Sequence, residues 1–295
     1  MNTFAQTDPQ RHARAQEAGH AFERELSCAL AAGPVELPSF PDVALRVQEV
    51  LVDDAVSTDL VVRMVGAEPM LAARVITIAN SAALNPGRSP VADLRTAVAR
   101  VGFDLLRAAA VSFAVAQMRR RDEYREIAEP LNRLWLESIA LSATSSVVAR
   151  HCQRASPDRA LFAGLVAGVG RIYLLARASR HPDLLADTVT YESIQAQWQA
   201  GVARSLLHSW HVVDETIEAV INHERPELEP PAATALSDVL TSAAYLNRHS
   251  ELPEGLVTEV PPKALGRLGL KLSDCMLLVQ KGGEELAGLR TAIGR

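Results

Sequence analysis

The sequence predicts an all-α fold, and three observations carry that prediction. Apolar residues recur at steps of three and four along most of the 295 residues, the period of a helix with one buried stripe. Only 4% of residues are aromatic while 48% are hydrophobic, so the core is built from Leu, Val, Ile and Ala, and Ala and Leu are strong helix formers. No β-branched alternation is long enough to read as a strand, and no internal repeat occurs.

The apolar spacing of Ala15, Ala18, Phe22, Leu26 and Leu30 predicts a helix over 11–32, with Arg14, Glu17, Glu23 and Arg24 on its other side and Gly33-Pro34 as its stop. It reads as a helix packed across the main body, with a homodimerisation arm as the second reading. Ser39 and Asp42 have capping-box-like spacing around Pro41, predicting a helix to about Leu51 that buries Val43, Val47, Val50 and Leu51. After Asp53-Asp54, Ser57 or Thr58 caps a short helix containing Leu60, Val61, Met64 and Val65. Pro69 opens the next, with Leu71, Val75 and Ile78 inside and Arg74 on a different face; Asn80-Ser81 and Asn85-Pro86-Gly87 end it. The helices over 57–79 have the outline of a helix-turn-helix, but the second presents Ala, Ile, Leu and Val rather than side chains that reach base edges. Ser89-Pro90 leads into a helix with Leu94, Val98 and Val101, and Gly102 separates it from an apolar helix over 105–118.

Arg119-Arg120-Arg121, neutralised by Asp122, Glu123 and Glu126, reads as a solvated helix end. Leu131, Leu134, Trp135, Ile139, Ala143 and Val147 predict a helix over 127–152. Ser156-Pro157-Asp158 then supplies a cap, a first-turn proline and an acid at the positive dipole end. The helix that follows reads as continuous up to His181-Pro182. Leu161, Leu165, Val169, Ile172 and Leu175 fall on one side, and Ala163, Gly164, Ala167 and Gly168 leave the other open to close approach by a neighbour, despite a cost of about 1 kcal/mol per glycine. Helices over 192–209, from Asp214 to Asn222-His223-Glu224-Arg225-Pro226, and over 232–247 follow. The last comes after a proline-rich break at 226–231, and two shorter helices close the chain.

Lys plus Arg number 30 against 35 Asp plus Glu, a formal charge of -5, so a global attraction to nucleic acid is not indicated. Cys28, Cys152 and Cys275 are far apart and odd in number, which argues against a disulfide framework and suits a reducing cytoplasm; each is expected as a small buried hydrophobe. Met1 to Gln10 is polar without a leader pattern. Apolar runs are read as interrupted by Arg, Asp or Glu before the ~18 residues needed to span a bilayer. A cytoplasmic protein without membrane association is expected.

The residues from Leu37 to Asn247 resemble the HDOD family, signalling relatives of the HD-type phosphohydrolases. Leu37-Pro38-Ser39-Phe40-Pro41, Glu68-Pro69 followed by Leu71-Ala72-Ala73-Arg74, Asn80-Ser81, and Ala97 to Leu106 around Val101-Gly102 carry the likeness. Glu68 departs from the Asp usual before that proline. The resemblance implies an HD-domain-like helical bundle in two packed halves, 37–122 and 123–247. An N-terminal helix and linker over 1–36 and a C-terminal helical extension over 248–295 flank them.

An HD hydrolase holds one or two metal ions with His and Asp from several helices, and the metal activates water. On that pattern the first His position falls on Glu137, the His-Asp pair on Ala167-Gly168, and the final Asp near Ala244 or Tyr245, neither of which can serve. His223 and Glu224 remain as candidates. The resemblance and the missing ligands together imply a non-catalytic regulatory module without a cofactor, binding a protein partner or a small signalling ligand. Its candidate surface is Arg74, Asn80, Ser81, Glu137, Arg171, His223 and Glu224. A phosphohydrolase or phosphodiesterase with a metal displaced to Glu137, His223 and Glu224 is the alternative, and nucleic-acid binding through Arg63, Arg74, Arg88 and Arg95 is a second.

Each candidate also has a purely structural reading. His223 fits a cap for the last carbonyls of its helix, Glu224 a solvent partner of Arg225, and Asn80 a helix stop whose amide bonds nearby backbone. His151, His208 and His211 lack the layout of a zinc site. Gly164, Gly168 and Gly170 lie in an apolar helical pattern, not a nucleotide loop, and there is no Gly-x-Ser-x-Gly elbow.

Overall fold

The computed structural model describes residues 9–38, 40–52, 56–81, 89–224, 234–248 and 262–271, with isolated positions at 274, 277, 278 and 287. All regular elements among the described residues are helices. The expectations for Ser39, Asp53-Asp54, Asn85-Pro86-Gly87, Arg88, Arg225-Pro226, the break at 226–231 and Cys275 lie outside them.

The first half is built from α2 (Asp42–Val50), α3 (Thr58–Gly66), α4 (Pro69–Ala79) and α5 (Leu94–Met118). Ser57 caps α3 by accepting from the Leu60 amide at 3.3 Å. Glu68 caps α4 through Met70 at 3.3 Å, so the residue that departs from the family pattern still performs the cap. α2 buries Ala44, Val47 and Gln48, with Leu51 just beyond it, and leaves Val43 and Val50 half-buried; the stripe is rotated from the expected one because Gln48 turns inward to donate to the Arg107 carbonyl at 3.3 Å. Gly102 interrupts α5 with φ 74° and ψ 174°, a left-handed conformation that glycine adopts at no steric cost, which turns the chain between the two expected segments.

The second half comprises a 3₁₀ turn (Asp122–Ile127), α6 (Ala128–Cys152), α7 (Pro157–Val166), α8 (Val169–Ala178), α9 (Pro182–Leu185), α10 (Thr188–Ser209), α11 (Asp214–Asn222) and α12 (Ala235–Arg248). α10 starts four residues earlier than the sequence suggests because Asp187 caps it at Thr190, 3.2 Å away. The stretch read as one continuous helix is broken at Ala167-Gly168, where Gly168 sits at φ -84°, ψ 0° and separates α7 from α8. Gly164 acts as read from the sequence, since a Cβ there would fall 2.6 Å from the Ser142 Cα of α6; Gly170, not singled out for close approach, is pressed as well, and a Cβ on it would meet the Gln199 carbonyl oxygen of α10. Pro157–Ala178 is also long and apolar enough to cross a membrane by length and composition, contrary to the expectation that charges break up every such run, but 83% of its apolar window is buried inside the protein.

α5 packs on α7, and one continuous apolar core joins the two sets of helices. Phe40, at the start of the first half, stacks on Trp210 at the end of α10 with ring centroids 5.0 Å apart. α1 (Pro9–Ala32) lies across α9 and α10, burying Ala15, Phe22 and Leu26. His12 meets Asp187 at 2.7 Å, Trp198 donates to Glu23 at 3.2 Å, and His181 meets Glu25 at 3.3 Å. Cys28 is exposed on the outer face of α1 and Cys152 is half-buried, so neither is the fully buried hydrophobe expected. α13 (Lys263–Arg267) is held to α12 by Arg267, which clamps the buried Asp238 with contacts of 2.6 to 3.0 Å.

Candidate functional site

Seven residues stand out in the sequence, and the fold divides them into two sets. Arg74, Asn80 and Ser81 stay in the first half. Arg74 does not lie on a different face from Leu71 and Ile78: three residues after the one and four before the other, it shares their side of α4 and turns inward to Ser112 of α5. Burial, and then the nearby Arg120 and Arg119, push its guanidinium down to about 10. The Asn80 amide bonds backbone further along the chain: it accepts from the Val91 N–H at 2.7 Å and donates to the Val91 carbonyl at 2.8 Å, tying the end of α4 to the residues just before α5. Of the arginines considered for nucleic acid, Arg74 turns in and Arg95 pairs with Asp59 at 2.5 Å, while Arg88 lies outside the described residues.

Glu137, Arg171, His223 and Glu224 converge. Arg171 projects from α8 just after the break, and its guanidinium meets Glu137 of α6 at 3.2 Å and Glu224 after α11 at 3.4 Å. Besides Arg171, Glu224 accepts from Gln199 of α10 at 2.9 Å, and its expected partner Arg225 lies outside the described residues. His223 is the C-cap of α11, its Nδ1 2.5 Å from the Val220 carbonyl and its Nε2 3.8 Å from Glu224. Burial holds this imidazole below its usual range against the opposing pull of Glu224, so the neutral ring with Nδ1–H on the carbonyl is the favoured form. Cap and site are therefore the same residue.

Two cavities flank Arg171. One, of about 210 Å³, is lined by Ala167, Gly170, Gln199, Val220, His223 and Glu224. The other, of about 550 Å³, lies between α6, α8 and α10 against Glu137, Leu175 and Tyr191. Neither Gln199 nor Tyr191 could have been singled out from the sequence, because both sit on α10 among many polar residues and owe their roles to partners distant in the chain.

The donor set does not fit the metal centre of an HD hydrolase. Ala167 and Gly168 offer no ligand atom, and a Cβ at Gly168 would fall 2.5 Å from the Ser138 hydroxyl, so the room for an aspartate there is already filled. Glu137 and Glu224 are both bound to the Arg171 guanidinium. Among the described residues no group of three or more His, Cys, Asp or Glu is placed to hold an ion. Arg171 supplies the positive charge that a cation would otherwise bring.

The HDOD domain family matches residues 37–226 of this sequence. The chain belongs to the HDOD family. The match covers the whole first half and ends before α12, short of Asn247, to which the sequence likeness was extended. No curated protein matches this HDOD chain. Solved structures do share its fold. A protein of Shewanella amazonensis SB2B that bears the name of a metal-dependent phosphohydrolase superposes with a TM-score of 0.69 at 22% identity, over 95% of this chain and 99% of its own. An HDOD domain protein of unknown function from Geobacter sulfurreducens gives 0.64 at 21%, over 92% and 97%. A protein of Marinobacter aquaeolei VT8 bearing the name of a signal transduction protein gives 0.61 at 21%, over 96% of this chain and 66% of its own. The HDOD fold is thus matched along nearly its full length, and the names describe those proteins.

Proposed function

We propose that this HDOD chain is a non-catalytic regulatory module that binds a small signalling ligand or a protein partner through its altered HD site. The observation that carries the reading is Arg171 bridging Glu137 and Glu224. A guanidinium already neutralises the carboxylates that a displaced metal would require, and bringing in a divalent ion would mean breaking two charge-assisted bonds. Polar groups and space remain around that bridge, in the His223 and Gln199 cavity, which is what recognition needs. In an HD hydrolase a bound metal activates the water that attacks phosphorus, and Ala167 and Gly168 offer no ligand atom for one.

Elemental analysis of the full chain after incubation with Mn, Fe, Ni and Zn tests this directly. Less than a tenth of an equivalent bound, unchanged by the double substitution Glu137→Ala, His223→Ala, is the expected result. Stoichiometric metal that disappears in the double variant, together with phosphodiesterase turnover, would overturn it.

A further inference from the structure

The cavity of about 210 Å³ between α8, α10 and α11 is lined by two hydrogen-bond acceptors that lie side by side, on His223 and Glu224. The Nδ1 of His223 is 2.5 Å from the Val220 carbonyl, which can only accept, so Nδ1 carries the hydrogen. Burial keeps the ring neutral, and the lone pair is then on Nε2. The side chain is only 4% exposed, and Nε2 makes no hydrogen bond to a described residue. It is not sealed from open space, as the unpartnered Nε of Arg171 is. The second acceptor is Oε1 of Glu224, 3.8 Å from that Nε2. Oε1 is the less occupied of the two carboxylate oxygens: the Arg171 guanidinium is 3.4 Å from it, whereas Oε2 accepts from Gln199 at 2.9 Å. Two acceptors cannot bond each other, and a single donor atom carrying two or three hydrogens can reach both.

Charge and space limit what that donor belongs to. Of the charges acting on the imidazole, Glu224 is the strongest, ahead of Arg171 and Arg248, so the local field favours a positive group. The Arg171 guanidinium is itself shared between two carboxylates. A monovalent ammonium can add its hydrogen bonds with that bridge intact, which a divalent metal ion cannot. Ala196, Ala200, Ala203, Val220 and Ile221 make the remaining wall apolar. A dry cavity of roughly 150 Å³ accepts a benzene ring, so this one has room for a chain of a few carbons. We propose that it binds a small primary amine as its ammonium, donating to His223 Nε2 and Glu224 Oε1 with a short alkyl chain against Ala200 and Val220. The proposal rests on reading the chain as a binding module, and adds the chemistry of what is bound.

The test uses the full chain with its eight histidines labelled with ¹³C at Cε1, the His223 signal being assigned by its loss in His223→Gln. The probes, at pH 8, are n-butylamine, which like a lysine side chain is protonated there, n-butanol and butyrate. Butylamine is expected to shift the His223 signal saturably, with butanol at least fivefold and butyrate at least tenfold weaker. Glu224→Gln keeps the size of the side chain and removes its charge, and is expected to lower butylamine affinity about tenfold. Ala200→Leu fills the cavity and is expected to abolish the shift, with the circular dichroism of both variants unchanged. No saturable shift in the parent, equal or tighter binding of butanol or butyrate, or undiminished butylamine binding to Glu224→Gln or to folded Ala200→Leu would each overturn the proposal. Such a failure in a protein that also takes up no metal would sink the ligand assignment and leave the non-catalytic reading standing.

Discussion

Two sets of polar residues, one at α4 and one around Arg171 of α8, are used in opposite ways. In the first, Asn80 gives both ends of its amide to Val91 and Arg74 is drawn into the packing of α4 on α5. These groups hold one piece of chain to another. In the second, Glu137, Arg171 and Glu224 form a bridge with a cavity on each side, and His223 Nε2 makes no hydrogen bond to a described residue. Polarity that is fully paired within the chain builds structure, whereas polarity beside empty space prepares recognition.

That contrast can be broken by stability measurements. The largest effect is expected where no polarity is involved, at Gly164→Ala, whose methyl would overlap the α6 backbone at Ser142. Denaturant unfolding should show a loss of about 2 kcal/mol or more, even after the gain of roughly 1 kcal/mol in helix propensity; a variant as stable as the parent would mean that α6 and α7 are further apart. Asn80→Ala should lose about 2 kcal/mol for two hydrogen bonds, read by the same unfolding curves. Arg171→Met should lose only about 1 kcal/mol, since its partners Glu137 and Glu224 are 49% and 35% exposed. If Arg171→Met proved the more damaging of these two, the bridge would be structural and the distinction between the two sets would fall.

The smallest effect is a pH dependence. The pKa of His223 in the folded chain lies below its ordinary value of 6.5, so the unfolded chain takes up the proton first. The stability held by the neutral ring is fully present above about 6.5 and declines as the pH falls below it. Urea midpoints between pH 8 and pH 5 should show that decline, and His223→Gln should flatten it; an equal slope in the variant would place the titrating group elsewhere.

Most of the helices were legible in the sequence because they depend on local signals. Ser57, Ser156 and the Gly102 interruption act within a few residues, and the period of Leu161, Leu165 and Val169 needs no tertiary information. Arg74 was misplaced for a different reason: a charge suggests an outer face, yet helical spacing sets it beside Leu71 and Ile78, and Ser112 accepts it there. The break at Ala167-Gly168 was hidden because both residues fit an uninterrupted helix. At the site, Glu137, Arg171, His223 and Glu224 could be nominated one by one, but their meeting could not. Arg171 reaches Glu137 across 34 positions, and Gln199 reaches Glu224 across 25.

One consequence concerns α1, which precedes the family match beginning at residue 37. Phe22 and Leu26 are wholly covered, and Gly19 brings the helix so close that a methyl there would press on Ile194 at 3.1 Å. A fragment trimmed to the family boundary would therefore carry a bare oily strip along α9 and α10, together with Asp187 stripped of His12. Such a fragment should self-associate on purification. The smallest piece of this chain expected to fold cleanly is therefore larger than the piece by which its family is recognised.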